Sequence, residues 1–165
     1  VWIDRLFDER DNILAALNYA ARADLEAGLF LIGRLLDFWR YYDFREGLRW
    51  TSKFIQNPEA KTFTHAYAKG LLVHGNILWN LQQFEAARLA GEECLDLFRA
   101  CGDIAGEYYT LMLLGGVTQF VEGMELKREY QSQALDIARS MDNSHMEGLA
   151  LANLGWDQRD PLLGR

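Results

Sequence analysis

The sequence predicts an all-α chain built of helix pairs stacked in a row. Three observations predict it. Apolar residues recur at steps of three and four, as in Leu25, Leu29, Ile32, Leu36 and Trp39, which places them on one helix face. No stretch alternates strictly between apolar and polar residues, the mark of a half-buried strand. Residues also recur at a forty-residue step, as in Gly75, Gly115 and Gly155, or Leu71, Leu111 and Leu151.

About eight helices are expected, each bounded by residues that stop or start a helix. The first covers about 4–22 and ends at Ala23-Asp24. The second, about 25–41, carries the periodic leucines and Trp39 and stops at Tyr42-Asp43. A third covers about 44–56. Asn57-Pro58 is the strongest break, because proline lacks an N–H and disfavours helix in the residue before it. The fourth, about 60–81, is periodic through Leu71, Leu78 and Leu81 and stops at Gln82-Gln83. Cys101-Gly102-Asp103 separates helices of about 84–101 and 104–122, the latter periodic through Leu111, Leu114 and Thr118. Glu122-Gly123 and Asp142-Asn143-Ser144 then bound helices of about 125–141 and 144–157.

The forty-residue step joins these helices into pairs. It relates Leu95 to Leu135, Leu97 to Ile137, Arg99 to Arg139 and Glu107 to Glu147, and runs back from Phe84 to Phe44 and from Cys94 to Phe54. A period in this range means stacked helix pairs. Glycine in mid-helix costs roughly 1 kcal/mol against alanine. Its recurrence at 75, 115 and 155 makes sense where a partner helix crosses and no Cβ fits. Ala87 and its cognate Gly47 are expected to receive the partner from the other side, whereas Lys127 holds that place in the third pair. One domain, 1–165, then divides into a capping or linker helix (1–24), repeats at 25–57, 60–102 and 104–142, and a terminal helix at 144–157.

Composition narrows the function. The chain has 165 residues, 50% hydrophobic and 25% charged, as a single globular domain should. Two cysteines are too few for a disulfide framework, which points to a reducing, cytoplasmic compartment. Charge-free stretches fall short of a membrane span, and no signal peptide is visible. The net charge of −7 lies wholly in residues 84–165, where seven Lys/Arg face fourteen Asp/Glu. Such a surface repels phosphate, so direct nucleic-acid binding by this segment is not expected. The opening Val1 suggests a piece of a longer protein.

Leu71-x2-His74-Gly75-x2-Leu78 followed by Phe84, Ala87 and Cys94 resembles the tetratricopeptide repeat, and Leu111-x2-Leu114-Gly115 with Ala134, then Leu151-Ala152-Asn153-Leu154-Gly155, repeat it. Forty-residue versions occur in the helical-repeat arrays of bacterial MalT-type, STAND-class ATPase regulators. Glu9-x-Asp11-Asn12-x2-Ala15-Ala16-Leu17 looks like the segment that joins the ATPase to those repeats. Phe38-Trp39 and Glu46-Gly47-x2-Trp50 look like the first repeat. The resemblance implies a right-handed α-solenoid and a role in signal transduction and transcriptional regulation. Lys127 departs from the small residue of the pattern, and the proline after the second helix is absent.

In such an array the first helices line a concave face. Registration places Trp39, Arg40, Lys69, Asn76, Trp79, Asn80, Tyr109, Gln119, Asn153 and Trp156 there as ligand-groove candidates. Asn76 and Asn80 stand out, because an apolar interior would desolvate both amides at a cost. Aromatic residues at helical spacing also serve as core. Leu72 stands where a chaperone-tail clamp needs a lysine one turn before the groove asparagine, so that activity is not expected.

Nothing in the sequence assembles catalytic chemistry. His65, His74 and His145 form no metal motif, and His74 aligns with Leu114 and Leu154, a core or half-buried place. Cys94 and Cys101 are two helical turns apart, too far for a disulfide. No phosphate-binding loop or nucleophile elbow appears. No catalytic residue, metal or cofactor is expected. The expectation is a non-catalytic repeat module of a larger bacterial regulator, binding a protein, a peptide or a small effector. The alternative is a free-standing scaffold that self-associates through its terminal helix, near Leu154 and Trp156.

Overall fold

The computed structural model describes the backbone of residues 5–6 and 8–157, and side chains as far as Gly155. Among the described residues there are nine α-helices, one 3-10 turn and no strand. The helices are α1 (Arg10–Ala23), α2 (Leu25–Ile32), α3 (Leu36–Tyr42), α4 (Phe44–Ile55), α5 (Thr64–Asn80), α6 (Phe84–Cys101), α7 (Ile104–Val121), α8 (Met124–Ser140) and α9 (Ser144–Asp157). Each helix from α3 onward packs on the next, as α1 does on α2, whereas α2 packs chiefly on α5, so the chain is a row of consecutive helix pairs. Helices α5, α7 and α9 start at 64, 104 and 144, and α4, α6 and α8 at 44, 84 and 124, so the sequence period is also the structural one.

The turns carry that regularity. After α5, α6, α7 and α8 a backbone N–H reaches back to the carbonyl five residues earlier: Gln83 to Leu78 (2.9 Å), Asp103 to Phe98 (3.1 Å), Gly123 to Thr118 (2.8 Å) and Asn143 to Ala138 (3.1 Å). This closure absorbs carbonyls that the last helical turn leaves unpaired. It needs a residue with positive φ at the bend, supplied by Gln82 (59°), Gly102 (67°) and Asp142 (51°), and one residue later by Gly123 (107°). Side-chain caps restart the helices. Asp24, Asp43, Asp103 and Asn143 accept the N–H groups of Ala27, Arg45, Gly106 and Met146.

Two expected helices differ in detail. The helix expected over 25–41 is two, α2 and α3. Arg34 and Leu35 donate to carbonyls three residues back, at Leu31 and Ile32, and this tight bend redirects the chain. The cause is a close crossing. A Cβ on Gly33 would lie 2.9 Å from Cβ of Lys69 on α5. The helix expected over 60–81 opens instead with the 3-10 turn Ala60–Thr62. There the Asn57 side chain accepts the Glu59 N–H, and the Thr62 hydroxyl donates to the Glu59 carbonyl. Residues 1–4 and 7 lie outside the described set, of which 4 and 7 fall within the expected first helix.

The recurrent glycines lie where helices cross. A Cβ on Gly75 would lie 2.8 Å from Leu113, and one on Gly115 would lie 2.9 Å from Gln131. At Gly155, the third cognate, a Cβ would meet no described residue within 4 Å. Ala87 is fully buried, and the Cβ place of Gly47 is filled by the Trp39 ring. The core forms two clusters, one from Leu17 to Val117 and one around Tyr108, Leu111, Leu114, Leu135 and Met146. Ion pairs repeat too. Nε of Arg99 lies 2.8 Å from Glu107, and Nε of Arg139 lies 2.9 Å from Glu147.

Candidate functional site

One face of the row is an open groove enclosing about 670 Å³. Its lining comes from the bend before α3 and from α3, α5, α7 and α9. These are the first helices of each pair, because the second helices pack behind them. Leu72, Asn76 and Trp79 fall at helical spacing on α5, Tyr109 and Met112 on α7, and His145, Leu149 and Asn153 on α9. The forty-residue register brings cognates side by side, so Tyr109 and Leu149 occupy equivalent places.

Most of the sequence-derived candidates lie on this face. Arg40, Asn76, Trp79, Tyr109 and Asn153 line the groove itself. Lys69 lines an adjoining pocket of about 240 Å³ with Arg34, Phe98 and Gly106. Gln119 lines another of about 240 Å³ with Met112, Gly116, Lys127 and Gln131. The side chain of Trp156 lies outside the described set.

Two candidates fall elsewhere. Trp39 is fully buried in the core, edge-on to Phe38 at 4.8 Å. Gly47 on the facing helix clears room for the indole, whose N–H has no partner among the described residues. Asn80 lines none of these cavities. It is exposed at the end of α5, and its amide N–H₂ donates to the Asn76 carbonyl (2.8 Å). The Asn76 amide likewise donates to the Leu72 carbonyl (2.9 Å), but its side chain keeps a place on the groove wall.

The groove is polar at one end and amide-rich at the other. At the first end Arg40 pairs with Asp37 at 3.3 Å, and Arg34 has no ion pair with a described residue. Lys69 approaches Asp103 at 3.8 Å. Burial pushes the Asp103 carboxyl up, but the His65 hydrogen bond (2.7 Å), the Gly106 N–H and the Lys69 charge outweigh it. Its pKa is therefore held below the usual range, and it stays an anion that neutralises Lys69.

At the other end two residues that sequence reasoning did not single out as binding groups are buried. Lys127 is 6% exposed and Gln131 3%. Lys127 donates to the Gln119 carbonyl (3.1 Å), and the Gln119 amide N–H₂ donates to the Gly116 carbonyl (2.8 Å). The Gln131 carbonyl has no hydrogen-bond partner among the described residues. A buried acceptor left unpaired costs about 1–3 kcal/mol. In the preceding pair the cognates are Ala87 and Gly91, both small and buried. Polar residues on a helix ordinarily read as its wet face, and only the departure at Lys127 hinted otherwise.

His74 and Cys94 serve packing. His74 is half-buried and bonds the Thr51 hydroxyl through Nδ1 at 2.9 Å. Burial pulls its pKa down to about 4, so it is neutral at pH 7. The buried Cys94 thiol donates to the Ala68 carbonyl (3.2 Å), and burial pushes it up to about 12, far from a reactive thiolate. Both cysteines are free. Among the described residues no group of three or more His, Cys, Asp or Glu could hold a metal, and no helix is long and apolar enough to cross a membrane. No protein-family model matches the chain, and no curated protein sequence matches it.

Proposed function

We propose that this chain is a non-catalytic binding module, a tetratricopeptide-like arm of a larger bacterial signalling or transcriptional regulator. It takes a protein or peptide segment, or a small effector, along its groove. The single observation that carries this reading is the open groove of about 670 Å³ formed by the first helices of successive pairs. Its lining suits an extended peptide: amides at Asn76 and Asn153 for backbone groups, and the Trp79 and Tyr109 rings for apolar side chains. Coupling to an ATPase switch outside this chain follows from the sequence resemblance. No nucleic acid, membrane, metal or cofactor enters the reading.

The test is selection of random peptides displayed on phage against the immobilised chain. Selected peptides should lose roughly tenfold or more in affinity on Asn76→Ala or Tyr109→Ala, and little on Asn80→Ala. Failure to select any peptide removes the peptide form of the reading, and affinity indifferent to both groove variants moves the site away from this groove.

One observation favours a second reading, a self-associating scaffold. Helix α9 leaves Leu151 45% exposed, although its cognate Leu111 is fully buried, and a Cβ on Gly148 or Gly155 would meet no described residue within 4 Å. Mass by sedimentation equilibrium should then rise with concentration and return to the monomer value on Leu151→Glu. A mass that stays monomeric at all concentrations excludes it.

A further inference from the structure

We infer that the pocket between Arg34, Lys69, Leu72, Phe98 and Tyr109 binds the carboxylate of a ligand seated in the groove. The pocket encloses about 240 Å³ and adjoins the groove, sharing Gly33, Arg34, Leu72 and Tyr109 with it. The inference adds a chemical class to the groove proposed above and rests on that reading.

Three observations lead there. The first is charge. On a chain of net charge −7, pocket and groove together are lined by Arg34, Arg40 and Lys69 against Asp37 and Asp103, and by no glutamate. Arg40 has Asp37 at 3.3 Å and Lys69 has Asp103 at 3.8 Å, whereas Arg34 has no ion pair with a described residue. One positive charge is left over. The second is the hydrogen-bond inventory. Lys69 stands too far from Asp103 for a hydrogen bond, and the Tyr109 hydroxyl has none with a described residue. The one acidic side chain lining the pocket is already engaged. One Asp103 oxygen accepts the Gly106 N–H (2.9 Å), and the other accepts from His65 Nε2 (2.7 Å). The third is how the donors are held. Arg34 lies in the bend between α2 and α3, and that bend rests on α5 where Gly33 crosses Lys69. The crossing sets the backbone of Arg34 beside the Lys69 stem. Leu72, Phe98 and the Tyr109 ring supply apolar wall.

The ligand chemistry follows from what these donors lack. A carboxylate only accepts hydrogen bonds. Its planar pair of oxygens matches the guanidinium fork, and its single charge matches the one left over. A neutral amide supplies an acceptor but leaves the Arg34 charge unmatched. A phosphate dianion brings a second charge against Asp103. A polyanion also meets the field of residues 84–165, which carry the whole net charge of −7. The apolar walls suit the short stem of a glutamate or aspartate side chain, or the last residue of a peptide with a free carboxyl end.

The test titrates ¹⁵N-labelled protein at low salt with N-acetyl-glutamate methylamide and with N-acetyl-leucine, whose own carboxylate is free. The controls are the glutamine and phosphoserine forms of the capped compound. A carboxylate probe should shift the Arg34 Nε–H and the Gly33 and Gly106 amides saturably. The glutamine form should bind roughly tenfold more weakly or worse, as should the carboxylate probe to Arg34→Gln. The phosphoserine form should bind no tighter than the glutamate form. Lys69→Gln, which keeps the stem at the Gly33 crossing, repeats the test should Arg34→Gln fail to fold. Saturation by the glutamate probe assigns the carboxylate to an acidic side chain, saturation by N-acetyl-leucine assigns it to a chain end, and saturation by both admits either. No saturable shift, equal binding of the glutamine form, tighter binding of the phosphoserine form, or unchanged binding in the folded variants overturns the inference. Phage selection can fail while these probes bind, and can succeed while they do not, so loss of the groove reading and loss of this one are told apart.

Discussion

The pairs α5–α6 and α7–α8 share one backbone plan and differ in what fills it. Both begin at the same step, close with the same turn and bury a glycine, Gly75 or Gly115, at the crossing. Behind Gly75 the gap is closed by Leu113, Ala87 and Ala90, all buried and apolar. Behind Gly115 it is closed by Gln131, with Lys127 one turn away. A repeat therefore fixes where helices cross but leaves the chemistry of the crossing free. Stability in such arrays is roughly a sum of neighbour terms, so one pair can hold a polar pocket while those beside it supply packing.

The sharpest way to break the comparison is to move the polar residues. Ala87→Lys with Gly91→Gln should destabilise the chain by about 3–5 kcal/mol, because it buries a charge without a built partner. Urea denaturation followed by circular dichroism measures it. A loss below about 1 kcal/mol would mean the second pair tolerates what the third was built to hold.

A change of similar size is expected only in acid. His74 stands where the later pairs have leucine. Its pKa is about 4 in the fold against 6.5 unfolded. Between those values the unfolded chain binds the proton and the native chain does not, so stability falls as pH drops from 6.5 to 4. The accumulated loss is on the order of 3 kcal/mol. His74→Leu should remove that part of the slope, seen as a smaller drop in urea midpoint between pH 7 and pH 4.5. An unchanged slope would place the acid sensitivity elsewhere.

The smallest effect tests sameness. Arg99→Ala and Arg139→Ala each delete the equivalent ion pair from a different pair of helices, and Arg99→Ala also removes an exposed hydrogen bond to Gln133 that is worth little. Each should cost less than about 1 kcal/mol, and the two melting shifts should agree. A clear difference would show that equivalent positions are not energetically equivalent.

The joints of this fold were legible from sequence because turn chemistry is local. Gly102, Gly123 and the Asp and Asn caps announce bends whatever packs nearby. The groove face was legible in outline, since Asn76, Trp79, Tyr109 and Asn153 follow helical spacing on the first helices. The exceptions have one physical origin: they depend on a second segment. Trp39 is core because Gly47 on another helix admits its ring. The bend at Gly33 exists because α5 crosses there. Lys127 and Gln131 resemble a solvated face until the crossing at Gly115 covers them.

The four matching turns carry a consequence for growth. Backbone closure at Gln83 and at Gly123 is the same hydrogen bond, forty residues apart. The chain can thus be cut and rejoined at these points like track of a single gauge. Copying that interval adds one helix pair in phase and lengthens the groove by one increment. An insertion of a single residue inside a helix rotates everything beyond it by about 100° and turns the groove lining away from its neighbours. The unit of change that preserves this surface is the whole pair.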